Sequence, residues 1–265
     1  MHILNVVLKT TYGFINILLS VEVHIMENIG LMKTTVKIDT PVTVRKPSRK
    51  FRVKDPGSAL THFIGMIMAI IASVPLLIRA AVQPDRVYII AMSVYAASLI
   101  LLYAASTTYH TFDISERVNK ALKKIDHMMI SVLIAGSYTP VCLIALKGRT
   151  GIILLSVVWG IAAAGILIKA FWIFCPKWVS SVLYIGMGWT CVLAFTQLLS
   201  NLAPAAFGWL LAGGIIYTIG GVIYALKLPI FNSRHQNFGS HEIFHLFVMA
   251  GSACHFVVMY AYLLP

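Results

Sequence analysis

The chain has 265 residues, 59% of them hydrophobic and only 11% charged, with a mean hydropathy of +0.85. That is too apolar and too poor in charge for an ordinary soluble domain and assigns the chain to a bilayer. The formal net charge of +12 argues for nucleic acid only in a soluble protein; here the Lys and Arg residues sit in short segments between apolar runs, as in the inner loops of membrane proteins.

Residues 1–31 hold one modest apolar run, 12–21, which is short for a span and is followed by Glu22, His24 and Glu27. With no basic leader or small-residue cleavage site, no signal peptide is expected. Met32 opens a more ordinary polar start, so 1–31 reads as an interfacial helix or an over-extended gene start. The stretch 33–54 is polar and basic, with Arg45, Lys46, Arg49, Lys50, Arg52 and Lys54 just ahead of the first long apolar segment. Residues 1–54 are therefore expected to form a largely disordered or surface-lying leader near anionic headgroups, and 55–265 the membrane domain.

Apolar segments follow at 58–82, 87–110, 126–146, 151–174, 178–199, 207–226 and 241–264. Each matches one bilayer thickness of roughly 20 residues, and turn chemistry separates them, as at Gln83-Pro84-Asp85-Arg86 and Lys147-Gly148-Arg149. The expected fold is an all-α bundle of seven transmembrane helices. The basic leader should stay inside, and alternation then places the loops after helices 2, 4 and 6 inside as well. Those loops hold Arg117, Lys120, Lys123, Lys124, Lys177, Lys227 and Arg234, against Arg86, Lys147 and Arg149 on the other side. The N-terminus is therefore expected in the cytoplasm and the C-terminus outside. Cys142, Cys175, Cys191 and Cys254 are scattered through apolar stretches or beside a turn without a C-x-x-C pair, and read as small buried hydrophobes.

Ionisable residues within spans are costly and mark functional sites. Here they gather at one level. His110 lies at the inner end of helix 2, with Ser106 one turn earlier on the same face. Asp126 is expected to begin helix 3 from the inner side. His241 and His245 open helix 7, and their i, i+4 spacing puts both rings on one face. Taken singly, each has an ordinary role: a snorkelling histidine, an N-cap aspartate, a back-bonding serine. Their shared depth, derived only from Lys and Arg positions, sets them apart. Three neutral imidazoles suit Zn²⁺ with one open position, where a bound water has its pKa lowered toward about 7 and an aspartate can accept its proton. His127 points away from Asp126 by about 100° of helix rotation. His62 lies near the same boundary, and His255 is expected to make a buried hydrogen bond deeper in helix 7. Pro140, in Gly136-Ser137-Tyr138-Thr139-Pro140, is expected to kink helix 3, and Gly213-Gly214 and Gly220-Gly221 to permit close packing of helix 6.

These residues carry a resemblance. Residues from about Asp55 to Leu264 resemble the hemolysin III group of the progestin and adipoQ receptor family, through Leu60-Thr61-His62-Phe63-Ile64-Gly65, Ser106-Thr107-Thr108-Tyr109-His110, Lys124-Ile125-Asp126-His127, the Gly136 to Pro140 motif and Ser240-His241-Glu242-Ile243-Phe244-His245. The resemblance implies zinc held by His110, His241 and His245, with Asp126 and Ser106 beside the metal and its water. The acidic and Asn pair typical of the family ahead of the first helix stands here as Asp55 and Ser58. Two functions are open: a zinc-dependent hydrolase acting on a membrane lipid amide or ester in the plasma membrane, with Asp126 and Ser106 as catalytic residues, or a non-enzymatic cytolysin or sensor of membrane lipid state with structural zinc.

Overall fold

The computed structural model describes residues 52–226 and 239–265. The expectations for residues 1–51 and for His235 lie outside them. Seven helices are long and apolar enough to cross a membrane: α1 Pro56–Ala81, α2 Arg86–Thr111, α3 Glu116–Leu146, α4 Gly148–Phe171, α5 Lys177–Asn201, α6 Pro204–Leu226 and α7 Ser240–Ala261. Among the described residues there is no strand. At 1.5 Å per residue even the shortest covers a hydrocarbon core of about 30 Å.

The helix ends follow from local chemistry. Pro56 opens α1, where its missing N–H costs nothing. The Asp85 carboxylate accepts from the Val87 N–H at 2.9 Å and starts α2. At α7 the Glu242 carboxylate reaches back to the Gly239 N–H at 2.8 Å.

Helix α3 departs from the expectation. It begins at Glu116, with the Ser115 hydroxyl accepting from the Val118 N–H at 3.3 Å, so Asp126 neither begins nor caps it. The reason is that hydropathy marks where a helix enters hydrocarbon, whereas the cap marks where the backbone starts to coil. The charged stretch 116–125 is a good helix former that extends α3 beyond its apolar part. At the other end, the six residues Val141–Leu146 after Pro140 are a π-helix, so the loss of the proline N–H is absorbed by widening the turn. Helix α5 likewise tightens into a 3₁₀ stretch over Trp189–Ala194.

The helices pack as a ring in chain order, α1 to α7, and α7 closes it against α1. Leu76, Met92, Tyr95, Val158 and Met259 are fully buried within it, while Leu60, Ile71, Ile78, Ile152 and Leu193 lie exposed on the outside, where acyl chains would cover them. Gly136 lets α2 and α3 touch: a Cβ there would lie 2.2 Å from Ser98 Oγ. Of the α6 glycines, Gly213 and Gly220 face α7 side chains and Gly221 faces Ile185 on α5, whereas nothing approaches Gly214.

Candidate metal centre

The ring topology brings the end of α2, the start of α7 and the entrance of α1 to the same end of the bundle. Backbone hydrogen bonds from the Asp55 N–H to the His110 carbonyl at 2.9 Å and from the Lys54 N–H to the Thr111 carbonyl at 3.2 Å tie the first two chain segments together. Ser58 donates to Glu242 and ties α1 to α7. The histidines are thus carried on a braced frame.

His110, His241 and His245 each offer a ring nitrogen, and the three lie within 4.8 Å of one another. His110 and His245 are buried, and His241 is half-buried. The group could hold a metal ion. His110 Nε2 and His241 Nε2 are 3.2 Å apart; two nitrogens on one tetrahedral zinc, each at about 2.0–2.1 Å, stand about 3.3 Å apart.

The far sides of two rings support the same conclusion. His110 Nδ1 lies 3.0 Å from Asp55 Oδ2, and a carboxylate only accepts, so the proton sits on Nδ1 and Nε2 is a free lone pair. His245 Nδ1 lies 3.1 Å from Thr61 Oγ1. That hydroxyl also stands 3.1 Å and 3.0 Å from the carbonyls of Gly57 and Ser58, to one of which it donates. Its oxygen is left to accept from Nδ1–H, which frees His245 Nε2 as well. Both tautomers suit a cation. The hydrogen bond from His110 also holds the Asp55 carboxyl below its ordinary pKa, against the opposing effect of burial, so the anion that orients the ring persists.

Ser106, Asp126, His241 and His245 line one cavity of about 210 Å³, together with His62 and His127. Its wall is otherwise mostly apolar, with Leu133, Val141, Leu198, Phe207 and Val248 running away from the histidines. Trp189, Val192 and Phe195 of α5 and Leu211 of α6 line it and are exposed, so the cavity reaches the side of the bundle at these helices. Ser106 Oγ is buried without a protein partner, and Asp126 is buried with Oδ2 3.4 Å from His127 Nδ1. His127 Nδ1 also lies 2.9 Å from the Lys123 carbonyl, to which it donates. His62 stacks on His245 at 3.6 Å between ring centroids. His255 makes the expected buried bond, 3.3 Å from the Leu210 carbonyl.

Reasoning from the sequence found the three histidines and missed what orients them. Asp55 and Thr61 were the signal: α1 starts at the end of the bundle where α2 finishes and α7 begins, so any polar residue in its first turns must face the same level.

Residues 52–256 match the family model described as Haemolysin-III related. The chain is 38% identical over 216 residues to Hemolysin-3 of Bacillus cereus, which covers 82% of this chain and 94% of that protein. It is 37% identical over 213 residues to the Hemolysin-3 homolog of Bacillus subtilis (strain 168), with 80% and 96% covered. More distantly, it is 25% identical over 222 residues to the adiponectin receptor protein of Drosophila melanogaster, covering 78% of this chain and 50% of that protein. This multi-pass membrane chain belongs to the hemolysin III family, within the progestin and adipoQ receptor superfamily.

Proposed function

We propose that the chain is a zinc-dependent hydrolase of a membrane lipid amide or ester, acting in the plasma membrane with its histidine end in the cytoplasm. The observation that carries this reading is a metal-capable histidine group at the polar end of an apolar cavity that reaches the side of the bundle. A lipid entering between α5 and α6 would lay its chain along the apolar wall and its amide or ester group against His241, His245, Ser106 and Asp126.

Zinc bound by His110, His241 and His245 would supply a Lewis acid and a water of lowered pKa. Asp126 is the base that takes the proton of the attacking water and returns it to the leaving amine or alcohol. The Ser106 hydroxyl, lacking a protein partner, is free to donate to the oxygen on which charge develops. Orientation rests on the inner-side excess of Lys and Arg, including Lys120, Lys123 and Lys124 in the first half of α3.

A second reading has its own support. The same histidines, with Asp55, Thr61, Ser58 and Glu242, lock α1, α2 and α7 together, as a structural zinc would. In that case the chain senses or regulates membrane lipid state. One set of variants separates the two. Elemental analysis of purified protein should give near one zinc per chain, lost in His110→Ala and His241→Ala. Asp126→Asn should keep the zinc and lose release of fatty acid from a lipid amide or ester panel. Full hydrolysis in Asp126→Asn, or well-folded wild type without metal, sinks the hydrolase reading.

A further inference from the structure

Two lysines of α3 share one ring of the α4–α5 connection. Lys120 and Lys123 lie one turn apart on the same face of α3, about 9 Å and about 4.5 Å from Asp126 toward the start of the helix. The apolar part of α3 starts at Asp126, so the pair stands just outside it, at the level where headgroups meet hydrocarbon. Lys120 Nζ is 5.5 Å and Lys123 Nζ 5.0 Å from the centroid of the Phe174 ring. The negative face of the ring draws both ammoniums.

The connection presents further rings. Beyond α4 the Cys175 N–H closes a turn on the Trp172 carbonyl at 3.2 Å. Ile173 and Cys175 are thereby buried, and Trp172 and Phe174 turn outward. With Phe171 and Trp178 on either side, the four aromatic side chains are 54–81% exposed. Rings placed so at the end of membrane spans belong to the headgroup boundary. The charge beside them is unmet. Lys120 is exposed and Lys123 half-buried, and among the described residues neither ammonium forms an ion pair. A ring face offers no oxygen lone pair to their N–H donors, and two like charges gathered on one ring repel each other. An anion with several oxygens answers both, and an apolar body on that anion answers the rings.

We infer that Lys120, Lys123 and Phe174 form a headgroup site for an anionic phospholipid, with its phosphate at the two ammoniums and its chains beside the exposed rings of the α4–α5 connection. The site lies outside the histidine cavity and depends neither on zinc nor on hydrolysis.

The test is native mass spectrometry of the purified full chain titrated with phosphatidylglycerol and with phosphatidylcholine of identical acyl chains. One lysine near an anionic headgroup gives about a fivefold gain, so the pair predicts that the first phosphatidylglycerol binds about five- to thirtyfold tighter than the first phosphatidylcholine. Lys120→Gln with Lys123→Gln should bring the two lipids to parity and leave phosphatidylcholine binding unchanged. Arg117→Gln removes one charge from the same helix end and should keep the preference. Parity on wild type, a preference that survives the double variant, or an equal loss in Arg117→Gln, which would mark a diffuse basic rim, overturns the inference. Free glycerol phosphate should fail to displace the bound phosphatidylglycerol; displacement would make a soluble phosphate the ligand and overturn the lipid assignment.

Discussion

Replacing Asp55 by Ala removes the acceptor that turns His110 Nε2 toward the proposed metal. The pair is unevenly buried, with His110 4% and Asp55 43% exposed in their side chains and 3.0 Å between Nδ1 and Oδ2. Loss of a carboxylate behind a metal-bound histidine costs about 10- to 100-fold in metal affinity, or about 1.4–2.7 kcal/mol. Because the Asp55 side chain is nearly half exposed, water can replace it, and the lower limit of about tenfold is expected. Thr61→Val is the informative contrast. It leaves the N–H of His245, a residue 2% exposed, without its acceptor, and an unmade buried bond costs about 1–3 kcal/mol, or about five- to 150-fold. The neutral threonine should therefore matter as much as the charged aspartate or more. The two act through different ligands, so the double variant should show roughly the product of the single effects. Zinc competition with a chromophoric chelator, on protein whose unfolding midpoint is checked in parallel, measures all three. Unchanged affinity in both single variants, or a loss in Asp55→Ala tenfold greater than in Thr61→Val, refutes the assignment of these residues as orienting partners.

Further outcomes follow from the packing and the charges. Gly136→Ala drives a methyl into Ser98, whose Oγ and Cβ would be 2.2 Å and 2.5 Å away; overpacking of this kind costs about 1–3 kcal/mol, should lower the unfolding midpoint, and should be largely relieved by Ser98→Gly. An unchanged midpoint counts against the close α2–α3 contact. Lys169, 1% exposed, donates to Cys175 Sγ at 3.0 Å and to Ser180 Oγ. Burial opposes ionisation of the Cys175 thiol, yet its contacts with Ser180 and Lys169 hold its pKa below the ordinary value. Lys169→Met should therefore move the alkylation–pH profile of Cys175 to higher pH in a chain whose other cysteines are alanine, and an unmoved profile refutes the pairing. For Asp55, a lowered folded pKa means a stabilising contribution that is present above the ordinary value of 3.8 and is lost as pH falls through the folded value. In metal-free protein, the midpoint gap between wild type and Asp55→Asn should persist down to about pH 5 and close only below about pH 4; a gap that closes already near pH 6 contradicts the sign.

The seven spans and the three histidines were legible because both rest on one-dimensional rules. Hydrocarbon thickness sets the length of an apolar run, and the parity of crossings sets which ends meet. His241 and His245 needed only the helical period. The start of α3 was not legible by the same rule, since charged residues 116–125 continue the helix past the hydrocarbon, and only the Ser115 cap marks its origin. Asp126 nonetheless stays on the cavity wall, because extending a helix outward leaves the depth of its apolar part unchanged.

Asp55 and Thr61 illustrate a harder case. Charge drew attention to His62, yet it is the neighbouring Thr61 that bonds to His245, while His62 stacks on the same ring. Which of two adjacent residues meets His245 Nδ1 depends on the rotation of α1 about its own axis, and hydropathy does not fix that rotation in a helix exposed along much of one side. The backbone bonds from Lys54 and Asp55 to the end of α2, with the Ser58–Glu242 bond to α7, fix it instead. Without them α1 could turn, and Thr61 would leave His245. The rotation of α1 that orients the histidines is therefore set by contacts at its entrance, and variants there should disturb the candidate metal centre more than substitutions of equal size on the exposed side of α1, such as Ile71→Ala.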